Sequence, residues 1–235
     1  MIHLCRALYL RRIVMGKNKL QRFEENKSFS HLLQPSVDYP FRDDAIKGKW
    51  NESFFSNPQP IVLELGCGRG EYTVNLARFS PGNNYIGIDI KGARIWRGAK
   101  TVHEENLKNV GFLRIQIERI ENFFSRNEVS EIWITFPDPQ LQQSRERKRL
   151  TSPRFLDRYR NILVPGGRVH LKTDNRELYE YTRSIALQMN YPVEASTEDL
   201  YAEAEKDEFL NIKTTYEQMF LRQGMKICYI RFRLP

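Results

Sequence analysis

Three features of this 235-residue chain predict an α/β fold, a mostly parallel sheet with helices on both faces. From Pro60 onward, short runs rich in branched and aromatic residues alternate with segments of helical pattern, the rhythm of strand–helix–strand units. The first run, Ile61 to Leu65, ends in glycines at 66, 68 and 70 before a helical pattern opens at Glu71. Near the end the rhythm breaks, because 192–196 and 225–234 both read as strands and no helix follows the second. Those two are expected to form an antiparallel pair at the edge of a seven-stranded sheet.

The seven strands are expected at 61–65, 84–90, 111–117, 130–136, 168–173, 192–196 and 225–234. Helices are expected from Glu71, then at 92–108, 119–124, 153–163, 176–189 and 214–222. Pro153 suits the first turn of its helix, where a missing N–H costs no intrahelical bond. Pro137 stops the fourth strand, and Gly166-Gly167 turns the chain into the fifth. The glycines after the first strand permit a turn that a Cβ would obstruct, and they let a ligand approach bare main chain at a helix N-terminus.

Residues 1–58 read as an N-terminal extension and arm, and 59–235 as the folded domain. The arm is polar, with Phe23, Phe29, Tyr39, Phe41, Trp50, Phe54 and Phe55 at no fixed period. That pattern suits a segment laid over the domain and pinned at its aromatics. Residues 1–14 carry arginines, no acid and no small-residue cleavage site, so a secretory signal is not expected. They read as an extension upstream of a start at Met15, with an organelle presequence as the alternative.

Composition narrows the function. A hydrophobic share of 40% and a charged share of 28% fit one folded domain and exclude collagen-like and disordered classes. Three cysteines without a C-x-x-C pair support neither a disulfide framework nor a zinc site, so no metal is expected and the compartment is read as reducing, the cytoplasm. No apolar run approaches the roughly 18 residues of a membrane helix. The net charge of +8 draws polyanions, which makes a nucleic acid the first partner to consider. Either a monomer or a homodimer is compatible with the sequence.

Ligands of parallel sheets bind outside the carboxyl ends of the strands. Those ends carry Glu64 with Gly66, Gly68 and Gly70, then Asp89, Gln116, Asp138 and Asp174. Asp89 follows Gly70 by 19 residues, near the ~20 at which an acid after the second strand reaches both ribose hydroxyls. Glu64 would repel a pyrophosphate but attract a cationic aminoacyl group. An E-x-G-x-G-x-G run with this second acid therefore favours S-adenosyl-L-methionine over NAD as cofactor. A lysine-bearing G-x-x-x-x-G-K-S/T loop is absent, which argues against ATP hydrolysis.

Ile61 to Glu71 together with Asp89 resembles the cofactor half of the Rossmann-like class I methyltransferases. Phe136-Pro137-Asp138-Pro139, the basic cluster behind it, Lys172-Thr173-Asp174 and Thr214-Thr215-Tyr216-Glu217 resemble the tRNA (guanine-N7-)-methyltransferases in particular. That resemblance spans Met15 to Pro235. It implies methyl transfer from S-adenosyl-L-methionine to N7 of a guanosine in the variable loop (position 46) of tRNA, with Asp138 catalytic. It further implies that Glu64, Gly66, Gly68, Gly70, Asp89, Gln116 and Asp138 line the cofactor side. Gln142, Asp174, Thr214, Thr215, Tyr216 and Glu217 would contact the target nucleotide. Two positions depart from the family pattern: Gln142 stands where a lysine is common, and Gln116 where Asp or Asn is common.

The residues agree with this for a chemical reason. Enzymes that methylate exocyclic amines use a D/N-P-P-aromatic loop, whereas Asp138-Pro139 is followed by Gln140. Guanine N7 attacks through an in-plane lone pair and loses no proton, so no strong base is needed. Arg145, Arg147, Lys148 and Arg149 crowd beside Asp138, with Lys17, Lys19 and Arg22 as a second group, and both are read as RNA phosphate contacts. The alternatives are another RNA or small-molecule methyltransferase on the same fold, or a catalytically silent RNA-binding subunit.

Overall fold

The computed structural model describes residues 18–36, 42–203 and 209–235. The readings placed on residues 1–14, Met15, Lys17, Tyr39 and Phe41 lie outside the described residues.

Eight strands share one sheet: β1 (Leu32–Leu33), β2 (Ile61–Leu65), β3 (Asn84–Ile88), β4 (Val110–Leu113), β5 (Val129–Thr135), β6 (Leu163–Thr173), β7 (Val193–Thr197) and β8 (Cys228–Arg233). Their spatial order is β1-β4-β3-β2-β5-β6-β8-β7. All pairings from β1 to β6 are parallel, and β8 runs antiparallel to both β6 and β7. The antiparallel edge pair is therefore where the sequence put it.

The strand expected at 111–117 is shorter, Val110–Leu113, and the helix expected at 119–124 is a 3-10 helix, Ile117–Asn122; two larger features also differ from the expectation. The eighth strand is Leu32–Leu33, held on β4 by Phe112 N–H to His31 O at 2.8 Å and Arg114 N–H to Leu33 O at 2.9 Å. Two residues carry no periodicity, so the sequence gives no sign of it. Strand β6 also starts at Leu163 rather than after the glycines. Its register jumps from Val129↔Leu163 to Glu131↔Arg168, so Val164 to Gly167 bulge out with Gly166 at φ 72°.

The helices are α1 (18–28), α2 (Glu71–Phe79), α3 (Gly92–Glu105), α4 (Pro153–Ile162), α5 (Arg176–Gln188), α6 (Leu200–Glu203) and α7 (Thr215–Arg222). Alternation along the strands splits the core in two. Ile61, Leu63 and Leu65 pack with Ile132, Ile134, Val169 and Leu171 beneath Phe155, Leu156 and Leu178 of α4 and α5. Val62, Phe112 and Trp133 face the other way, against Tyr72, Val74, Leu76, Ile95 and Ala99 of α2 and α3. The segment before β2 joins this core too: Trp50 is fully buried and donates its indole N–H to Phe123 O at 2.8 Å. Helix α1 is tied to α3 by Asn26 to Gly92 O at 2.9 Å and by Trp96 to Glu25 at 2.6 Å. Among the described residues, no helix is long and apolar enough to cross a membrane.

The α2–α3 face has a polar centre, because Glu64, Thr135, His170 and Lys172 all point into it and all are buried. Lys172 has no exposed side-chain surface. Its ammonium donates to Leu210 O at 2.8 Å and Ile212 O at 2.9 Å, and pairs with the equally buried Glu217 carboxylate at 2.8 Å. Three acceptors match the three N–H donors of a lysine. Glu217 also accepts from the Tyr201 hydroxyl. The pair thereby fastens α7 to β6. Removing one partner strands a buried charge, so Lys172→Met is expected to cost about 3–5 kcal/mol of unfolding free energy. The double variant Lys172→Met/Glu217→Leu should recover much of that loss in denaturant titration, and equal losses in both proteins would show that the pair is not what holds α7.

Candidate active site

The turn after β2 is built from three glycines in the left-handed region, at φ 75°, 56° and 69° for Gly66, Gly68 and Gly70. They serve two purposes. A Cβ on Gly66 would meet nothing within 4 Å, and one on Gly68 only Gly66 O at 3.9 Å, so both border open space. A Cβ on Gly70 would lie 2.6 Å from the Phe112 ring, so this glycine lets α2 start hard against β4 and α3.

Asp89, at the end of β3, closes this turn. One carboxylate oxygen accepts from Gly68 N–H at 3.0 Å and the other from Lys91 N–H at 2.8 Å. On one side of it lies a cavity of about 80 Å³, walled by Glu64, Gly66, Gly68, Arg69, Arg94, Thr135, Phe136, Thr214 and Tyr216. On the other lies one of about 60 Å³ that includes Ile90, Arg114, Gln116 and Arg119. In the sheet β3 lies between β2 and β4, so Asp89 stands between Glu64 and Gln116 along the rim.

Glu64 is only 2% exposed. One carboxyl oxygen accepts from Thr135 Oγ1 at 2.6 Å, and the other accepts from Thr73 N–H at 2.8 Å and from the Thr73 hydroxyl. Burial raises its pKa to about 7; the threonine bonds oppose the rise and nearby Asp89 adds to it. At neutral pH this wall holds a carboxyl poised between its two charge states.

Asp138 follows β5 on an exposed turn and accepts from Gln140 N–H at 3.1 Å. Phe136 and Gln140, on either side, both take positive φ, 48° and 47°, a conformation that persists for non-glycine residues only where the surroundings enforce it. Arg149 supplies the enforcement at Gln140, and Phe136 N–H is held by Lys172 O at 2.8 Å. Arg149 is buried, donates to Gln140 O at 3.3 Å, lies over the Tyr181 ring at 4.3 Å and pairs with Glu177 at 3.7 Å. The reading of Arg149 as a phosphate contact is therefore corrected, since its guanidinium is committed to the Asp138 turn. Arg145, Arg147, Lys148 and Gln142 are exposed beside that turn, and Lys19 and Arg22 are exposed on α1.

Asp174 is half-buried at the end of β6, next to β5, and burial pushes its carboxyl above the usual range. Thr214 caps α7 by accepting from Glu217 N–H at 3.2 Å. Thr215 donates its N–H and its hydroxyl to Glu71, both at 2.6 Å, which hangs α7 on the first residue of α2. Thr214 and Tyr216 then line the cavity of Glu64, with Tyr216 46% exposed. Glu217 is corrected from a nucleotide contact to an internal one, since it is fully buried against Lys172. The sequence reading missed Thr73, Thr135, Glu71 and Arg94 altogether. A threonine two residues into a helix carries no signal of its own.

The family described as putative methyltransferase matches residues 58–230. A tRNA (guanine-N(7)-)-methyltransferase of Christiangramia forsetii is 52% identical over 93% of this chain and 99% of that one. The protein of the same name from Bacteroides thetaiotaomicron is 50% identical over 94% and 87%. The chain belongs to the tRNA (guanine-N(7)-)-methyltransferase family. Among solved structures, the 16S rRNA methyltransferase KamB shares the fold at a TM-score of 0.59 and 18% identity, over 78% of this chain and 91% of that one. The sheet of this family member is thus a methyltransferase sheet, with the glycine turn after β2 and the F-P-D-P turn after β5 on the same rim.

A carboxyl with a raised folded-state pKa holds its proton more tightly when folded. Its stabilising contribution is fully present below the unfolded value of 4.5 and is lost as pH rises through about 7. Unfolding of the protein without ligand is expected to show this decline, on the order of 3 kcal/mol. Glu64→Gln should flatten it, and equal pH slopes in the two proteins would refute the assignment.

Proposed function

We propose that this protein transfers the methyl group of S-adenosyl-L-methionine to N7 of a guanosine in the variable loop, at position 46, of tRNA in the cytoplasm. The observation that carries this reading is the stiffened Asp138 turn beside a glycine-walled cavity, in a chain that belongs to the tRNA (guanine-N(7)-)-methyltransferase family.

The chemistry of the lining residues suits the cofactor. Glu64 faces the place of a cationic amino group, which favours its ionised form. In this reading Asp89 would accept from the ribose hydroxyls, and Ile90 and Gln116, which share the second cavity, would border the adenine. When bound, S-adenosylmethionine supplies a methyl group made electrophilic by its sulfonium. The chain then has two tasks, to hold guanine in line with that methyl group and to face the positive charge that moves onto the base. Alignment contributes about 7 kcal/mol where geometry is good. Asp138 accepts hydrogen bonds from the guanine edge and faces the growing charge. Tyr216 offers an exposed ring on which a splayed-out base can stack, and Asp174, Thr214, Thr215 and Gln142 would contact the same nucleotide. Arg145, Arg147 and Lys148 hold phosphates beyond the turn.

Bulk tRNA incubated with labelled cofactor and then cleaved by aniline should break at one guanosine of the variable loop. Label in any other nucleoside would refute the reading. Asp138→Ala should lower turnover by about 10²-fold or more while cofactor affinity stays within a few-fold. Unchanged turnover would remove Asp138 from the reaction.

A further inference from the structure

Helix α3 carries Lys91, Arg94 and Arg97 at a spacing of three around its start, and all three are exposed. Residues at that spacing are neighbours on a helix surface. Arg69, exposed in the glycine turn, stands beside them: Arg69 and Arg94 both wall the cavity of Glu64. Arg69 and Arg97 both line a groove of about 270 Å³ between α2 and α3. None of these four cations has an acidic partner among the described residues. The acids of that groove are engaged elsewhere, Glu71 with Thr215, Glu104 with Lys100 and Glu105 with Arg78. The band continues onto α1 through Arg22, whose guanidinium lies 4.7 Å from the Trp96 ring of α3.

Sheet order gives this band its meaning. Strand β2 lies between β3 and β5, so the segments that follow β3 and β5 leave the sheet on opposite sides of the glycine turn. One begins α3 with its cations; the other is the Asp138 turn with Arg145, Arg147 and Lys148. Cations on one side alone would leave a polyanion free to pivot about the target base. Cations on both sides fix its path across the cavity mouth.

We infer that Lys91, Arg94 and Arg97, with Arg69, form a second phosphate-binding surface for the tRNA, across the cofactor cavity from Arg145 to Lys148. This inference rests on the reading of tRNA as substrate. The surface is sequence-blind, as phosphate contacts are, and it serves to set the register in which one guanine reaches the pocket.

The test uses the full chain and the double variant Lys91→Glu/Arg97→Glu, since neither residue lines the cofactor cavity. Dissociation constants for tRNA are measured over a range of salt concentrations, with cofactor affinity followed by calorimetry. The variant is expected to bind tRNA at least tenfold more weakly. The slope of log K against log salt should be shallower by about 2, roughly 0.9 for each phosphate that is no longer neutralised. Cofactor affinity should be unchanged. If the variant loses cofactor binding as well, the neutral pair Lys91→Gln/Arg97→Gln replaces it and must give the same change of slope. Wild-type protein is assayed for guanine methylation in parallel. Failure there sinks the functional reading itself. Methylation by the wild type together with an unaltered salt slope in the variant sinks this surface alone.

Discussion

The ammonium of Lys172 sits where no water reaches it, and a charge so placed is tolerated only when it is fully paired and hydrogen-bonded. Two of its three acceptors are backbone carbonyls, Leu210 and Ile212, and the third is Glu217. All three belong to the stretch that crosses back over the sheet before β8. Strand β6 therefore cannot keep its lysine unless that stretch packs down, and α7 cannot start at Thr214 unless the lysine is there. Thr214 and Tyr216 reach the cavity as a consequence. Glu71, the first residue of α2, adds a second tether through Thr215. The element expected to meet the nucleotide is thus positioned by the core of the sheet, at two points, and not by its own loop.

Glu64 shares that face and is an acid, yet it is satisfied differently. Among the described residues no cation pairs with it; Thr73 and Thr135 donate to it, and burial lifts its pKa to about 7. Lys172 has every donor matched inside the fold, whereas Glu64 borders open space beside Gly66 and Gly68. A cationic ligand group arriving there completes an ion pair that the protein itself does not make. The same sheet face therefore carries one charge committed to the fold and one carboxyl that borders a cavity, which the proposed function uses for a ligand.

How much of this the sequence carried follows from the range of each signal. Strands β2 to β6 and the glycine turn are local patterns, and all five lie where the sequence placed them apart from their ends: β4 stops at Leu113 and β6 begins at Leu163. The late antiparallel pair was legible because no helix separates its second strand from the chain end. Leu32–Leu33 was not, because two residues define no period and their partner lies on β4. Arg149 and Glu217 were misread for a single reason. A charged residue in a polar stretch looks alike whether it points to water or inward, and the partners that turn these two inward, Tyr181 and Lys172, lie 32 and 45 residues away. The turn at Asp138 was legible because it follows a strand end and lies within the local motif Phe136-Pro137-Asp138-Pro139.

That turn also shows why stiffness matters more than acidity here. A reaction at an in-plane lone pair moves no proton, so in the proposed transfer Asp138 would act through the direction its carboxylate points. Phe136 and Gln140 hold left-handed conformations that cost of order 1–3 kcal/mol each when a side chain is present. Phe136 is tied by its N–H to Lys172 O at 2.8 Å, and Gln140 by its carbonyl to Arg149. Both anchors belong to residues buried in the fold. One of these anchors, the Lys172 carbonyl, belongs to the residue whose side chain holds α7, so the start of the Asp138 turn and the start of α7 share a strand residue. For the proposed transfer, that shared anchorage takes the place that a general base holds in enzymes whose substrate must lose a proton.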